Sequence, residues 1–101
     1  MKYWLLIAQE AYYDIEDAIT YYGDKSGEEL KNRFKEQLTH ALKYITVHPR
    51  SLAVKYRGIR ICNLDYFPYQ IHYLLEDKKV IVFGVFHEKI NPKSWNKRLK
   101  I

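Results

Sequence analysis

One hundred and one residues, 48% of them hydrophobic and 29% charged, supply one small core and too much apolar material for a disordered tail; a single domain over residues 1–101 is expected. Seventeen Lys and Arg against twelve Asp and Glu leave a net charge of +5, which suits a phosphate-bearing or acidic partner. The longest N-terminal apolar run, Trp4 to Ala8, is far shorter than the roughly 20 residues of a membrane span or the about 7–15 of a secretory core, so a cytoplasmic protein with no membrane partner is expected.

Residues 2–8 are aromatic and aliphatic and too few for a helix, which predicts a buried strand. From Gln9 to Tyr22 the apolar positions Ala11, Tyr12, Ile15, Ala18, Ile19 and Tyr22 recur at three and four, an amphipathic helix with Tyr12 and Tyr22 in its packing stripe. Tyr13 and Tyr21 fall off that stripe and read as exposed anchors for a partner protein. Gly23 and the segment 24–27 interrupt the pattern; Ser26 is the expected N-cap of a second helix, with Glu29 completing a capping box. Its stripe is Leu30, Phe34, Leu38, Ala41, Leu42 and Ile45, and Pro49 ends it. The short connection makes the two helices an antiparallel hairpin.

After Pro49 the pattern predicts strands at 52–55, 58–66, 69–76 and 79–87, the last two joined by a tight turn at Glu76 to Lys79 and hence antiparallel. Ile71, Tyr73 and Leu75 share the core face of their strand, which sends His72 to the surface, whereas Val80 to Phe86 is apolar at both parities. One sheet face is therefore unusually greasy, and a partner is expected to cover part of it. Pro92 opens a short helical turn over 93–99. The class is α+β: an N-terminal strand, an antiparallel α-helical hairpin, an antiparallel β-meander and a short C-terminal helical turn.

Residues 1–48 carry six basic and eight acidic side chains, residues 49–101 eleven and four. Arg50, Lys55, Arg57 and Arg60, extended at the C-terminus by Lys93, Trp95, Lys97, Arg98 and Lys100, make the best target-binding surface, with the Trp95 ring expected to dock on the core. Each of Arg50, Lys55, Arg57 and Arg60 alone reads more readily as a solvated edge with a snorkelling side chain; jointly they read as the patch. The sole cysteine, Cys62, excludes an internal disulfide and has no evident activating neighbour, and the four histidines lie apart without zinc spacing, so neither metal nor cofactor is expected.

Several blocks taken together resemble the RelE/ParE toxin superfamily. They are Ala11-Tyr12-Tyr13-Asp14-Ile15 at the start of the hairpin, Ile45-x-x-His48-Pro49 at its end, Gly58-Ile59-Arg60, Phe67-Pro68-Tyr69-x-Ile71-x-Tyr73, Val80 to Val85, and His87 followed by Asn91-Pro92-x-x-Trp95-x-x-Arg98. The resemblance covers nearly the whole chain and implies the toxin of a bacterial type II toxin-antitoxin module, neutralised by a cognate antitoxin docked near Tyr13 and Tyr21. RelE-like members cut mRNA in the ribosomal A site, and ParE-like members inhibit DNA gyrase; the shared fold does not choose between them.

Metal-free RNA cleavage needs a base for the 2′-hydroxyl proton, a cation beside the developing phosphorane and an acid for the leaving oxygen. RelE-like nucleases commonly place an arginine between the positions that here are Tyr69 and Ile71; this chain has Gln70, which carries no charge. Losing one transition-state donor costs about 2.7–4 kcal/mol. The resemblance therefore implies a ParE-like, non-enzymatic gyrase inhibitor whose target-binding residues are Arg50, Lys55, Arg57, Arg60, His87, Lys93, Trp95 and Arg98. The alternative is a ribosome-dependent endoribonuclease acting on mRNA through Arg60, His87 and Lys89.

Overall fold

The computed structural model describes residues 2–99, so Lys100 lies outside the described residues. The elements run β1 (Trp4–Ile7), α1 (Gln9–Ser26), α2 (Glu28–Val47), β2 (Val54–Tyr56), β3 (Ile59–Asn63), β4 (Tyr69–Glu76), β5 (Lys79–His87) and α3 (Pro92–Arg98). One five-stranded sheet has the order β1-β5-β4-β3-β2; β2 to β5 form the antiparallel meander, and β1 joins β5 in parallel. The α1–α2 hairpin covers one face, where Ala11, Ile15, Phe34 and Leu38 pack with Ile71, Tyr73, Val80 and Val82.

The hairpin is tighter than its sequence indicates. Helix α1 runs through Gly23 to Ser26, and the reversal takes a single residue, Gly27, whose φ of 85° only glycine adopts without strain. Ser26 is thus the last residue of α1 and no side-chain cap bond opens α2, so the Ser26–Glu29 capping box does not form. Tyr12 also departs from expectation: α1 buries Ala11, Ile15, Ala18 and Tyr22, whereas Tyr12 is 53% exposed.

Strand β1 is half-buried rather than buried. It lies at the sheet edge with helices over one face only, so Leu5 and Ile7 pack inward while Trp4 and Leu6 are 64% and 46% exposed. The apolar run of β5 has a different cause. Val82 pairs with Tyr73 but Gly84 pairs with His72, leaving Phe83 as the extra residue of a β-bulge. The bulge resets the alternation: Val80, Val82 and Val85 face the hairpin, and Phe83 and Phe86 face the other side.

That second face is covered in large part by the chain itself. Trp95 and Leu99, with Ile90 before the helix, pack over Ile59, Phe83 and Phe86. Helix α3 covers the centre of the greasy face, and among the described residues of β1 Trp4 and Leu6 remain exposed, so the part left for a partner is this margin. The same cover buries His72 completely, correcting its expected surface position. Strand parity placed His72 on the correct face; what it lacked was the layer formed by α3.

Candidate functional site

Beneath α3 the sheet carries a directional polar chain. The His72 Nε2 faces the Gln70 side-chain oxygen at 3.3 Å, an acceptor only, so the ring proton resides on Nε2 and Nδ1 receives the Tyr56 hydroxyl at 2.8 Å. Gln70 then donates its amide N–H to the Asn63 side-chain oxygen at 3.1 Å. Every donor in the series meets an acceptor only when His72 is neutral. Burial agrees with this, pushing the His72 pKa from 6.5 down to about 4 and the Tyr56 hydroxyl up to about 12.

Aromatic rings enclose the His72 end of the network, while Asn63 at the other end is exposed. Trp95 lies 4.6 Å from His72 and stacks on Tyr56 at 5.2 Å, while Phe86 meets the His72 ring edge-to-face at 4.8 Å. Phe86 reaches this place because Gly84, two residues before it on the same face, has no side chain: a Cβ there would stand 2.3 Å from the ring. Gln70 therefore bridges His72 and Asn63 in a neutral amide–imidazole network, and among the described residues no cation is one of its hydrogen-bond partners.

Arg60 and His87 are not brought together. Arg60 pairs across the sheet with Tyr73, and His87 with Tyr69. Four residues of β4 thus separate their levels, about 13 Å along the strand. The Arg60 guanidinium donates to the Leu52 carbonyl and pins the loop before β2, with its Nε buried and unpaired. His87 Nδ1 accepts the Lys89 backbone N–H at 3.1 Å and its ring packs edge-on to Tyr69, leaving the exposed Lys89 side chain in the turn beyond.

The C-terminal residues divide by face. Trp95 docks inward, and Arg98 forms an ion pair with Asp14 at 2.5 Å while lying over the Phe86 ring. Lys93 and Lys97 remain exposed, as do Arg50 and Lys55. Arg57, exposed at the tip of the β2–β3 hairpin, has φ 44°, is followed by Gly58 at φ 79°, and donates to the Asn96 side-chain oxygen at 3.3 Å. Tyr13 and Tyr21 stand 53% and 52% exposed on α1.

A cleft of about 660 Å³ between α2 and β3 is lined by Glu36, His40, Tyr44, Cys62 and Asp65 among others. Burial, with Asp65 adding to it, raises the Cys62 thiol pKa, so no thiolate nucleophile is prepared there. Among the described residues no group of three His, Cys, Asp or Glu side chains is placed to hold a metal, and no helix is long and apolar enough to cross a membrane. The Tyr56–His72–Gln70–Asn63 chain, buried at His72 and open to solvent at Asn63, has one signal in the sequence, the shared parity of Gln70 and His72.

No protein-family model and no curated protein matches the sequence significantly. Solved structures do. A chain of the chromosomal ParDE toxin-antitoxin system from P. aeruginosa superposes with a TM-score of 0.76 at 15% identity, over 85% of this chain and 96% of that one. The E. coli toxin RelE, in the free state and with two arginines replaced by alanine, gives 0.67 at 22% identity over 98% of this chain and 96% of that one. The element order, the meander and the helical hairpin are thus shared with both, and the chain has the RelE/ParE toxin fold, nearer in TM-score to the ParDE structure than to RelE.

Proposed function

We propose that this chain is the toxin of a type II toxin-antitoxin pair, that it acts in the ParE manner by binding DNA gyrase without covalent chemistry of its own, and that a cognate antitoxin neutralises it. The fold shared with the ParDE chain and with RelE supports the toxin reading. The observation that carries the choice of mechanism is Gln70. Where RelE-like nucleases commonly hold a cation, this chain has an amide bonded to the exposed Asn63 and to the buried His72, beside Phe86 on the neighbouring strand. A phosphorane forming there would meet a neutral donor already engaged, and Arg60 lies too far along the sheet from His87 for the two to share a proton-transfer geometry.

The solvent-facing cations Arg50, Lys55, Arg57 and Lys93 supply a target-binding surface, and Tyr13 and Tyr21 an antitoxin-binding one on α1. A gyrase target places the action in the cytoplasm. The test is supercoiling by purified gyrase with rising amounts of antitoxin-free protein. Inhibition near one toxin per gyrase is expected, and addition of the antitoxin should reverse it. Normal supercoiling together with mRNA cuts that appear only with ribosomes would replace this reading by the nuclease one.

A further inference from the structure

The fold joins cations that are far apart in the sequence. The β2–β3 hairpin tip meets α3 twice: Arg57 donates to Asn96 at 3.3 Å, and the Tyr56 ring stacks on Trp95 with centroids 5.2 Å apart. Because Trp95 faces the sheet, Lys93 and Lys97, two positions to either side of it, lie on the outer face of α3 about one turn from each other. Arg57, Lys93 and Lys97 are all exposed, and among the described residues none of them makes a salt bridge. The carboxylates at the same end of the sheet, Glu76 and Asp77, are matched in charge by Lys78 and Lys79 within their own turn.

Charge is also unevenly divided between the helices. Helix α1 carries five carboxylates and one lysine, and the two of them that meet α3, Asp14 and Glu10, are taken up by Arg98, which leaves Lys93 and Lys97 on the outer face without a carboxylate partner among the described residues. An extended anion would be drawn to the α3 side. Arg57 occupies a two-residue loop with positive φ at both positions, where Asn, Asp or Gly fits with least strain. Turn chemistry therefore does not account for an arginine there, and an outlying backbone conformation of this kind is a pointer to function.

The rings beside these cations are engaged inward. Tyr56 and Trp95 stack on each other and against His72, so the surface offers charge without a platform for unpaired bases. We propose that this surface binds the phosphate backbone of duplex DNA without sequence preference, with Arg57, Lys93 and Lys97 each facing a phosphate. Duplex DNA carries about one charge per 1.7 Å of axis, the density that rewards such a ring-free cationic surface. The proposal stands apart from the gyrase reading, and its test contains no gyrase.

The test is fluorescence anisotropy of a labelled mixed-sequence duplex of about 20 base pairs, titrated with the full chain at about 50 and 200 mM salt. Three phosphate contacts predict that affinity falls about 40-fold between the two salts. Arg57→Asn, which suits the turn, should reduce that factor to about 12, and Lys93→Gln with Lys97→Gln to about 4, with thermal melts confirming folded protein. Lys35→Gln on α2 should bind as the parent does. The proposal is overturned if the duplex does not bind at the lower salt, if folded Arg57 and Lys93/Lys97 variants keep the full salt dependence, or if single-stranded RNA of equal length binds more tightly than the duplex.

Discussion

The Asp14 carboxylate holds the Arg98 guanidinium at 2.5 Å across 84 residues of sequence, and the same oxygen accepts the Val85 backbone N–H at 3.0 Å. One atom thus ties α1, the bulged stretch of β5 and α3 together. The side chains are only 17% and 22% exposed, so solvent screens the pair less than it would a surface ion pair. Arg98 also reaches Glu10 at 3.8 Å and lies over Phe86, which makes it a strut under α3.

Replacing Asp14 by Ala leaves the Val85 N–H and the Arg98 guanidinium without their shared acceptor, and should cost about 2–4 kcal/mol in urea unfolding. Arg98→Ala should cost somewhat less, and the double variant should cost less than the sum of the two. Loosening of α3 should shift Trp95 fluorescence to longer wavelength. Strictly additive losses would show that the pair contributes no coupling, whatever its geometry.

Gly84 is the second structural constraint on this face. A methyl group there would meet the Phe86 ring at 2.3 Å, and the ring, itself 3% exposed, is walled by His72 and Trp95. Gly84→Ala should therefore lower stability by about 1–3 kcal/mol. Phe86→Leu in the same chain should recover part of that loss by vacating the volume. If Gly84→Ala melts with the parent protein, the close approach of Phe86 to Gly84 is not a packing constraint.

These contacts show what the amino-acid pattern reveals and where it stops. The bounds of β4 and β5 are readable to the residue because the alternation from Tyr69 to Tyr73 and the Glu76–Lys79 turn are local properties. The bulge at Phe83 is not, since an extra residue in one strand is visible only against its partner. Ser26 and Glu29 have the spacing of a capping box, yet Gly27 makes the reversal alone. The candidate site fares similarly. Trp95 was expected to dock inward and does, but the meeting of Arg57 with Asn96, and the separation of Arg60 from His87, depend on register and on how α3 lies across the sheet.

His72 makes stability depend on pH in a defined window. Its pKa is about 4 in the folded protein against 6.5 for the free side chain, so between those values the unfolded chain binds more protons. The contribution is complete above about pH 6.5, declines as the pH falls towards 4, and reaches about 2 kcal/mol of loss at pH 5. Protonation would place a charge among Trp95, Phe83 and Phe86, and would turn Nδ1 into a donor facing the Tyr56 hydroxyl. His72→Leu should lower stability at pH 7, where Tyr56 and Gln70 lose their partner, while flattening the decline between pH 6.5 and 5. Equal pH slopes for parent and variant would assign the titration to another group.

Tyr13 and Tyr21 test the proposed antitoxin surface without touching the core. Each is slightly more than half exposed, and their attachments are local: Tyr13 receives the Gln9 side-chain N–H at 2.9 Å, and Tyr21 meets the Tyr22 ring at 5.3 Å. Tyr13→Ala and Tyr21→Ala should therefore change folding stability by less than about 0.5 kcal/mol. Aromatic anchors of a protein interface characteristically cost about 2 kcal/mol or more on truncation. Under the function proposed above, the double variant should accordingly bind the cognate antitoxin at least about 30-fold more weakly with its effect on gyrase unchanged. That combination would give a toxin that its antitoxin no longer restrains, visible as growth arrest when the two are co-expressed. Unchanged antitoxin affinity for the folded double variant would move the docking site away from α1, and loss of gyrase inhibition would mean that the tyrosines face the target instead.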